Sequence, residues 1–124
     1  MKLTNYEYGS MKEFQLHELI EDTIGHDLEM TSRYHHVDYI NHDEKIIVEL
    51  KAMRKLSTKF DKVCINLCKL PYVHEMIDDG YTCYFFWNFT DDKTYYLKYD
   101  KDNKYNGHGQ KYCYVKQSDC ELTS

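Results

Sequence analysis

Long apolar runs are missing from this 124-residue sequence, and none approaches the roughly 20 residues a membrane-spanning helix needs. The opening stretch Met1-Lys2-Leu3-Thr4-Asn5-Tyr6 has no apolar h-region. No secretory signal is therefore expected, and the chain is read as intracellular, in cytoplasm or nucleus. Proline occurs once, at Pro71. Internal repeats, low-complexity tracts and linkers are also absent, so the length points to a single domain over 1–124. A chain of this size buries roughly two-thirds of the surface its unfolded form exposes and needs neither disulfides nor a structural metal to fold. Its five cysteines, Cys64, Cys68, Cys83, Cys113 and Cys120, are odd in number, which points to reduced thiols.

Hydrophobic residues make up 42% of the chain and charged residues 30%, as in ordinary globular domains. Tyrosine is abundant, with 13 copies, and together with asparagine and lysine it hints at an AT-rich genome, a viral one among the candidates. The net charge of -5 looks unsuited to a polyanion. The charges are segregated, however. Residues 1–44 carry three basic and ten acidic side chains, residues 45–69 seven and two, residues 70–92 none and five, and residues 93–124 six and four. The local field of the 45–69 block matters more for steering an anion than the total does.

Ser10-x-x-Glu13 has the form of a capping box and predicts a helix over residues 11–24, ending at Gly25. Leu16, Leu19, Ile20, Thr23 and Ile24 form its buried stripe, with Glu13 and His17 together on one border. Residues 27–32 make a weak strand and residues 34–41 a better one. Asn41-His42-Asp43-Glu44 reads as a polar turn, and residues 45–52 form the strongest strand because Ile46, Ile47 and Val48 are β-branched. Ser57 or Thr58 would cap a second helix over 60–70, interrupted by Pro71, with a further turn over 72–77. Residues 81–89 read as a central strand buried on both faces, 94–99 as its hairpin partner, 102–110 as a polar loop and 111–115 as a last short strand. The result is an α/β fold with helices flanking a mixed central sheet.

Side chains alternate along a strand, so His36, Asp38 and Ile40 share one face, as do Ile47, Glu49 and Lys51. A hairpin between these strands puts Asp38, Glu49 and Lys51 on one surface. Two carboxylates there form a hard oxygen site suited to Mg²⁺ or Mn²⁺, and the backbone carbonyl of Leu50 adds a third ligand. Lys51 supplies an ammonium for a phosphate oxygen or for the attacking water.

With Asp38, Ile47-Val48-Glu49-Leu50-Lys51 and an αβββαβ element order, the sequence resembles the PD-(D/E)xK nuclease superfamily. The resemblance extends to Gly80-Tyr81-Thr82-Cys83-Tyr84-Phe85-Phe86-Trp87 and covers about residues 9–99, leaving 100–124 as a C-terminal hairpin extension. It implies a restriction-endonuclease-like core, metal binding by Asp38 and Glu49, and assistance by Lys51. A further glutamate from the first helix is also implied, Glu13 first and Glu21 in reserve. Val37 stands where the family often has proline, and no glutamine is evident on the second helix. The expected activity is phosphodiester hydrolysis, with DNA favoured and RNA, by an endonuclease of cap-snatching type, the alternative substrate. Arg54, Lys55, Lys59 and Lys62 would flank the strand being cut. So small a chain leaves little surface for sequence reading, so structure or strand ends would be recognised, or a homodimer formed.

Rival readings stand beside these. Asp38, Glu49 and Lys51 could form a cross-strand ion pair on a solvated face. Glu13 could simply complete the capping box. His17 and His36 could join a metal site or be ordinary hydrogen-bonded histidines. Cys64-x-x-x-Cys68, at helical spacing, could join His74 or Cys83 around zinc or be plain core. The tyrosine–lysine runs 95–99 and 111–114 could stack bases, or form an amphipathic hairpin with one aromatic face inside. Two other function classes also fit: a non-catalytic nucleic-acid-binding or assembly module, and an interaction protein whose acidic segments 1–44 and 70–92 meet a basic partner.

Overall fold

The computed structural model describes residues 2–32, 35–59, 61–103, 105 and 109–123. It is a mixed α/β structure. Helix α1 (Asn5–Ile24) is followed by strands β1 (Glu29–Met30), β2 (Tyr39–Asn41) and β3 (Ile46–Ala52), then β4 (Lys62–Asn66) and helix α2 (Leu70–Asp78). Strands β5 (Thr82–Asn88), β6 (Thr94–Lys98), β7 (Tyr112–Lys116) and β8 (Glu121–Leu122) complete it. Six strands form one mixed sheet in the order β1-β2-β3-β5-β6-β8, and β4 and β7 form a separate two-stranded sheet. β3 and β5 run parallel; the other described pairs are antiparallel.

Helix α1 begins six residues before the expected start. Its cap is Thr4, whose hydroxyl accepts the Glu7 N–H at 3.1 Å while the Glu7 carboxylate accepts the Thr4 N–H at 2.9 Å. This second capping box, upstream of Ser10-x-x-Glu13, takes the role and releases Glu13 from it. The helix stops at Gly25, whose φ of +85° and N–H bond to the Glu21 carbonyl (2.7 Å) form the left-handed cap that glycine favours. Leu16 and Ile20 are buried and Leu19 and Ile24 half-buried, as the stripe requires. Glu18 and Asp22 face solvent.

The turn after β2 is closed by Asn41, whose side-chain oxygen accepts the Glu44 N–H at 2.9 Å. It leads into β3 through Lys45 at φ +54°. Only the last three residues of the expected 34–41 strand are extended in the sheet, and Tyr34 lies outside the described residues.

The expected helix over 60–70 is a correction. Residues 57–59 and 67–69 are 3-10 turns, and β4 lies between them (Phe60 is outside the described residues). Val63 and Ile65 are buried while Lys62 and Asn66 are exposed, an alternation of period two that β7 completes by pairing. Cys64 and Cys68 are thus on a strand and a following turn, not one helical face. Pro71 does not interrupt a helix; it sits in the first turn of α2, where its missing N–H costs nothing. The C-terminal segment is not a hairpin on itself, since β7 pairs with β4 and β8 with β6. Residues 104 and 106–108 of the expected 102–110 loop lie outside the described residues.

The sheet has two cores. α1 covers Tyr39, Ile46, Val48, Leu50 and Phe86. α2 and the β4–β7 pair cover Val37, Ile40, Ile47, Phe85 and Trp87. Both faces of β6 are engaged: Tyr95 and Leu97 go with the second core, as does Tyr99 just after the strand, and Tyr96 stacks on Phe86 at 5.3 Å. Among the described residues no helix is long and apolar enough to cross a membrane.

Candidate functional site

Asp38 immediately precedes β2. Its N–H donates to the Val48 carbonyl (3.0 Å), and its Oδ2 accepts the N–H of Leu50 at 2.7 Å, so its carboxylate is held against β3. The register pairs Tyr39 with Val48, and one step beyond it Asp38 comes level with Glu49. Glu49 and Lys51 share the face carrying Ile47, as alternation demands. In an extended strand the N–H and C=O of one residue leave on the same side, so the Leu50 carbonyl also turns towards β2 and Asp38.

α1 brings the third acid. The Tyr39 hydroxyl donates to the Glu13 backbone carbonyl, pinning the helix over the strand. The Glu13 carboxyl lies within hydrogen-bonding reach of Asp38, as does that of Glu49. Three carboxyls therefore crowd one place. Burial, then the hydrogen bond to Asp38 and its charge, push Glu13 up to about 8, with Lys69 acting against them. Glu49 is raised well above the carboxylate range by burial and then by the charge of Asp38, which outweigh the opposing Lys69. The Glu49 side chain keeps 17% exposure, yet its Oε2 is inaccessible and has no hydrogen-bond partner among the described residues.

Lys51 does share the Glu49 surface, but its ammonium is held elsewhere. It donates to Cys64 Sγ at 3.0 Å and lies 4.8 Å from the centre of the Tyr112 ring. The ammonium beside Glu49 belongs to Lys69, 3.7 Å from Oε1 and also donating to the His36 carbonyl at 3.1 Å. Glu49, Lys51, Cys64, Asn66 and Lys69 line part of a cavity of about 200 Å³. Comparison with known protein families, curated proteins and solved structures finds no match.

The other candidate positions separate from this centre. Glu21 is occupied by the Leu28 N–H (2.7 Å) and by His17. His17 donates through Nε2 to the Leu28 carbonyl at 2.6 Å. His36 is exposed and stacks on Tyr72 at 4.6 Å. His74 bonds the Tyr99 hydroxyl at 2.8 Å, and Cys83 is buried in the core. Arg54, Lys55 and Lys59 border a second, open cavity with Leu56 and Thr90. Lys62 is exposed on β4, opposite Lys116.

Among the described residues no three His, Cys, Asp or Glu side chains stand ready-made around an ion. The donor chemistry nonetheless fits a hard divalent cation. The oxygens come from carboxylates that repel one another, and one of them, Glu49 Oε2, is buried without a partner. Such a group is costly unless protonated or given a cation.

Sequence reasoning missed Lys69 and Tyr39. Lys69 ends the basic block directly before Leu70-Pro71, and a proline-marked helix start is the signal that would aim it inwards. Tyr39 neighbours Asp38 and so leaves the strand on the opposite face, towards α1.

Proposed function

We propose that this chain is a Mg²⁺- or Mn²⁺-dependent nuclease of the PD-(D/E)xK type, with DNA the favoured substrate and RNA the alternative. The observation that carries it is the meeting of Glu13, Asp38 and Glu49 from three elements, with Glu49 Oε2 left partnerless beside Lys69. The element order supports it too: α1, the β1–β2–β3 meander, α2, then β5 parallel to β3. β4 is an addition to that order and lies outside the main sheet.

The ion, when bound, would polarise the phosphate and make water a stronger acid. Asp38, fixed by the Leu50 N–H, offers its other oxygen in a set direction. Glu49 Oε2 is the second oxygen. Glu13, brought by α1 to Asp38, would add a third carboxylate towards the ion. Lys69 offsets the negative charge of the acids in the resting site. Lys51 reaches phosphate only by leaving Cys64 and Tyr112, so its contribution depends on substrate drawing it over. A binding-only module is the second reading, and the parked Lys51 favours it.

Cleavage assays on single-stranded, duplex and branched DNA and on RNA, with Mg²⁺ or Mn²⁺, test the proposal. Activity should vanish in Asp38→Ala and Glu49→Ala and fall sharply in Lys51→Ala. Calorimetry with Mn²⁺ should show a site that the first two changes remove. Undiminished cleavage in Lys51→Ala would discard the mechanism, and nucleic-acid affinity without any cleavage would favour the binding module.

A further inference from the structure

The second cavity lies at the carboxyl ends of β3 and β5, the one parallel pair among the described strands. An open sheet leaves a crevice there because the chain must turn away beyond each strand, and ligands collect in it. β3 ends at Ala52 and β5 at Asn88. The segments that follow are tied to each other. Met53 N–H donates to the Asn88 carbonyl (2.7 Å) and Thr90 N–H to the Lys55 carbonyl (3.0 Å). The Asp91 carboxylate accepts both the N–H (3.1 Å) and the hydroxyl (2.6 Å) of Ser57, which is buried. This tied loop carries Arg54, Lys55 and Lys59 around an open cavity of about 560 Å³, with Leu56 45% exposed between the cations.

Arg54 is oriented as well as charged. Its guanidinium lies 4.4 Å from the centre of the Tyr8 ring, and its nitrogens reach Asn5 Oδ1 at 3.4 Å and the Thr4 carbonyl at 3.5 Å. Lys12 approaches the same ring at 5.7 Å. Glu7, whose carboxylate feels the Arg54 charge, is itself engaged in capping α1. A guanidinium has five N–H donors, so after its two long bonds to Asn5 and Thr4 Arg54 still has donors for an anion such as phosphate.

We propose that this cavity binds the sugar–phosphate backbone of a single nucleic-acid strand. Its destination at the carboxylate site rests on the nuclease reading; the binding itself does not. A single strand is flexible enough to enter a concavity, and the exposed Leu56 side chain offers an unstacked base an apolar contact. A duplex is stiff over such lengths and would meet only the rim.

The test is fluorescence anisotropy in EDTA with a labelled oligo-dT of about 12 nucleotides. Lys55→Ala/Lys59→Ala should bind about tenfold more weakly at about 50 mM salt, with a log–log salt slope shallower by about 1.4, as two lost phosphate contacts require. Arg54→Lys should also weaken binding despite its unchanged charge. Circular dichroism matching wild type is the check that these changes, at exposed Lys55 and Lys59 and half-buried Arg54, leave the fold intact. Unchanged affinity and slope in the double variant would overturn the proposal. So would tighter binding of a duplex of the same length, or full displacement of the strand by inorganic phosphate or poly-glutamate at matched charge. Glu49→Gln separates the two readings: it should stop cleavage while retaining strand binding. If wild type binds the strand but cuts nothing, the nuclease reading fails and this one stands.

Discussion

The two faces of the six-stranded sheet are covered in different ways. One lies under α1, a single 20-residue helix about 30 Å long, and its core of Leu16, Ile20, Tyr39, Val48 and Phe86 is apolar. The other lies under two shorter pieces, the nine-residue α2 and the β4–β7 pair. Neither spans the sheet, and the seam between them, at Cys64, Asn66 and Lys69, coincides with Glu49 and Lys51 and leaves the 200 Å³ cavity. One continuous helix closes a face; two short covers leave room for charged side chains. Glu49, Lys51 and Lys69 thus sit where the packing of that face is divided, although its buried core is the larger of the two.

The largest effect that could break this contrast is at Glu49. If the proposed ion site is right, Glu49→Gln should lower metal-dependent cleavage about a hundredfold or more, because it would take a charged oxygen from that site. In EDTA at pH 8 the same change should raise the melting temperature, since it removes a buried carboxylate that resists ionisation. Activity and stability moving in the same direction would show Glu49 to be a structural acid.

Next comes a pair of substitutions, one on each face. Ile20→Ala, at a fully buried position under α1, should cost about 2–5 kcal/mol in denaturant unfolding. Lys51→Met, in the seam, should change stability by about 1 kcal/mol or less. Equal losses would mean that the seam is packed as tightly as the α1 face.

The pH dependence follows from the raised acids. Glu13 at about 8 and Glu49 well above its usual range hold protons that the unfolded chain releases near 4.5. Folding is therefore favoured fully below about 4.5, and this contribution is lost as pH climbs towards 8. Melting temperature measured in EDTA should fall across that interval, and Mn²⁺ should offset the fall. Glu7 and Asp91, held below the usual range, act in the opposite direction and only in acid. A flat or rising profile between pH 5 and 8 would dissolve the carboxylate cluster. The smallest effect is at Gly9 inside α1, where an added Cβ meets nothing within 4 Å. Gly9→Ala should stabilise by up to about 1 kcal/mol, seen as a rise of a few degrees in melting temperature.

Much of the sheet was legible. Gly25 marks a helix end because a residue without Cβ accepts positive φ, and Ile46-Ile47-Val48 marks a strand through β-branching. Asp38 facing Glu49 follows from alternation and the turn at 42–45. Other features were not legible, because equal local signals competed. Thr4-x-x-Glu7 and Ser10-x-x-Glu13 are both capping boxes, and contacts of Arg54 with Thr4, Asn5 and Tyr8, far away in sequence, favour the first. Residues 62–66 fit a helix or a strand until β7, some 50 residues later, supplies hydrogen bonds.

By itself the sequence determined what lies within one turn or one strand: where α1 ends, which β3 side chains share a face, and where positive charge gathers along the chain. Only tertiary structure decided that Glu13 of α1 and Lys69 before α2 would come to the acids of β2 and β3, and that Cys64 and Tyr112 would hold Lys51. Capping, alternation and turn chemistry act over a few residues. Contacts between distant segments are set by how covering elements of given length and shape fit the sheet, a property no single segment contains.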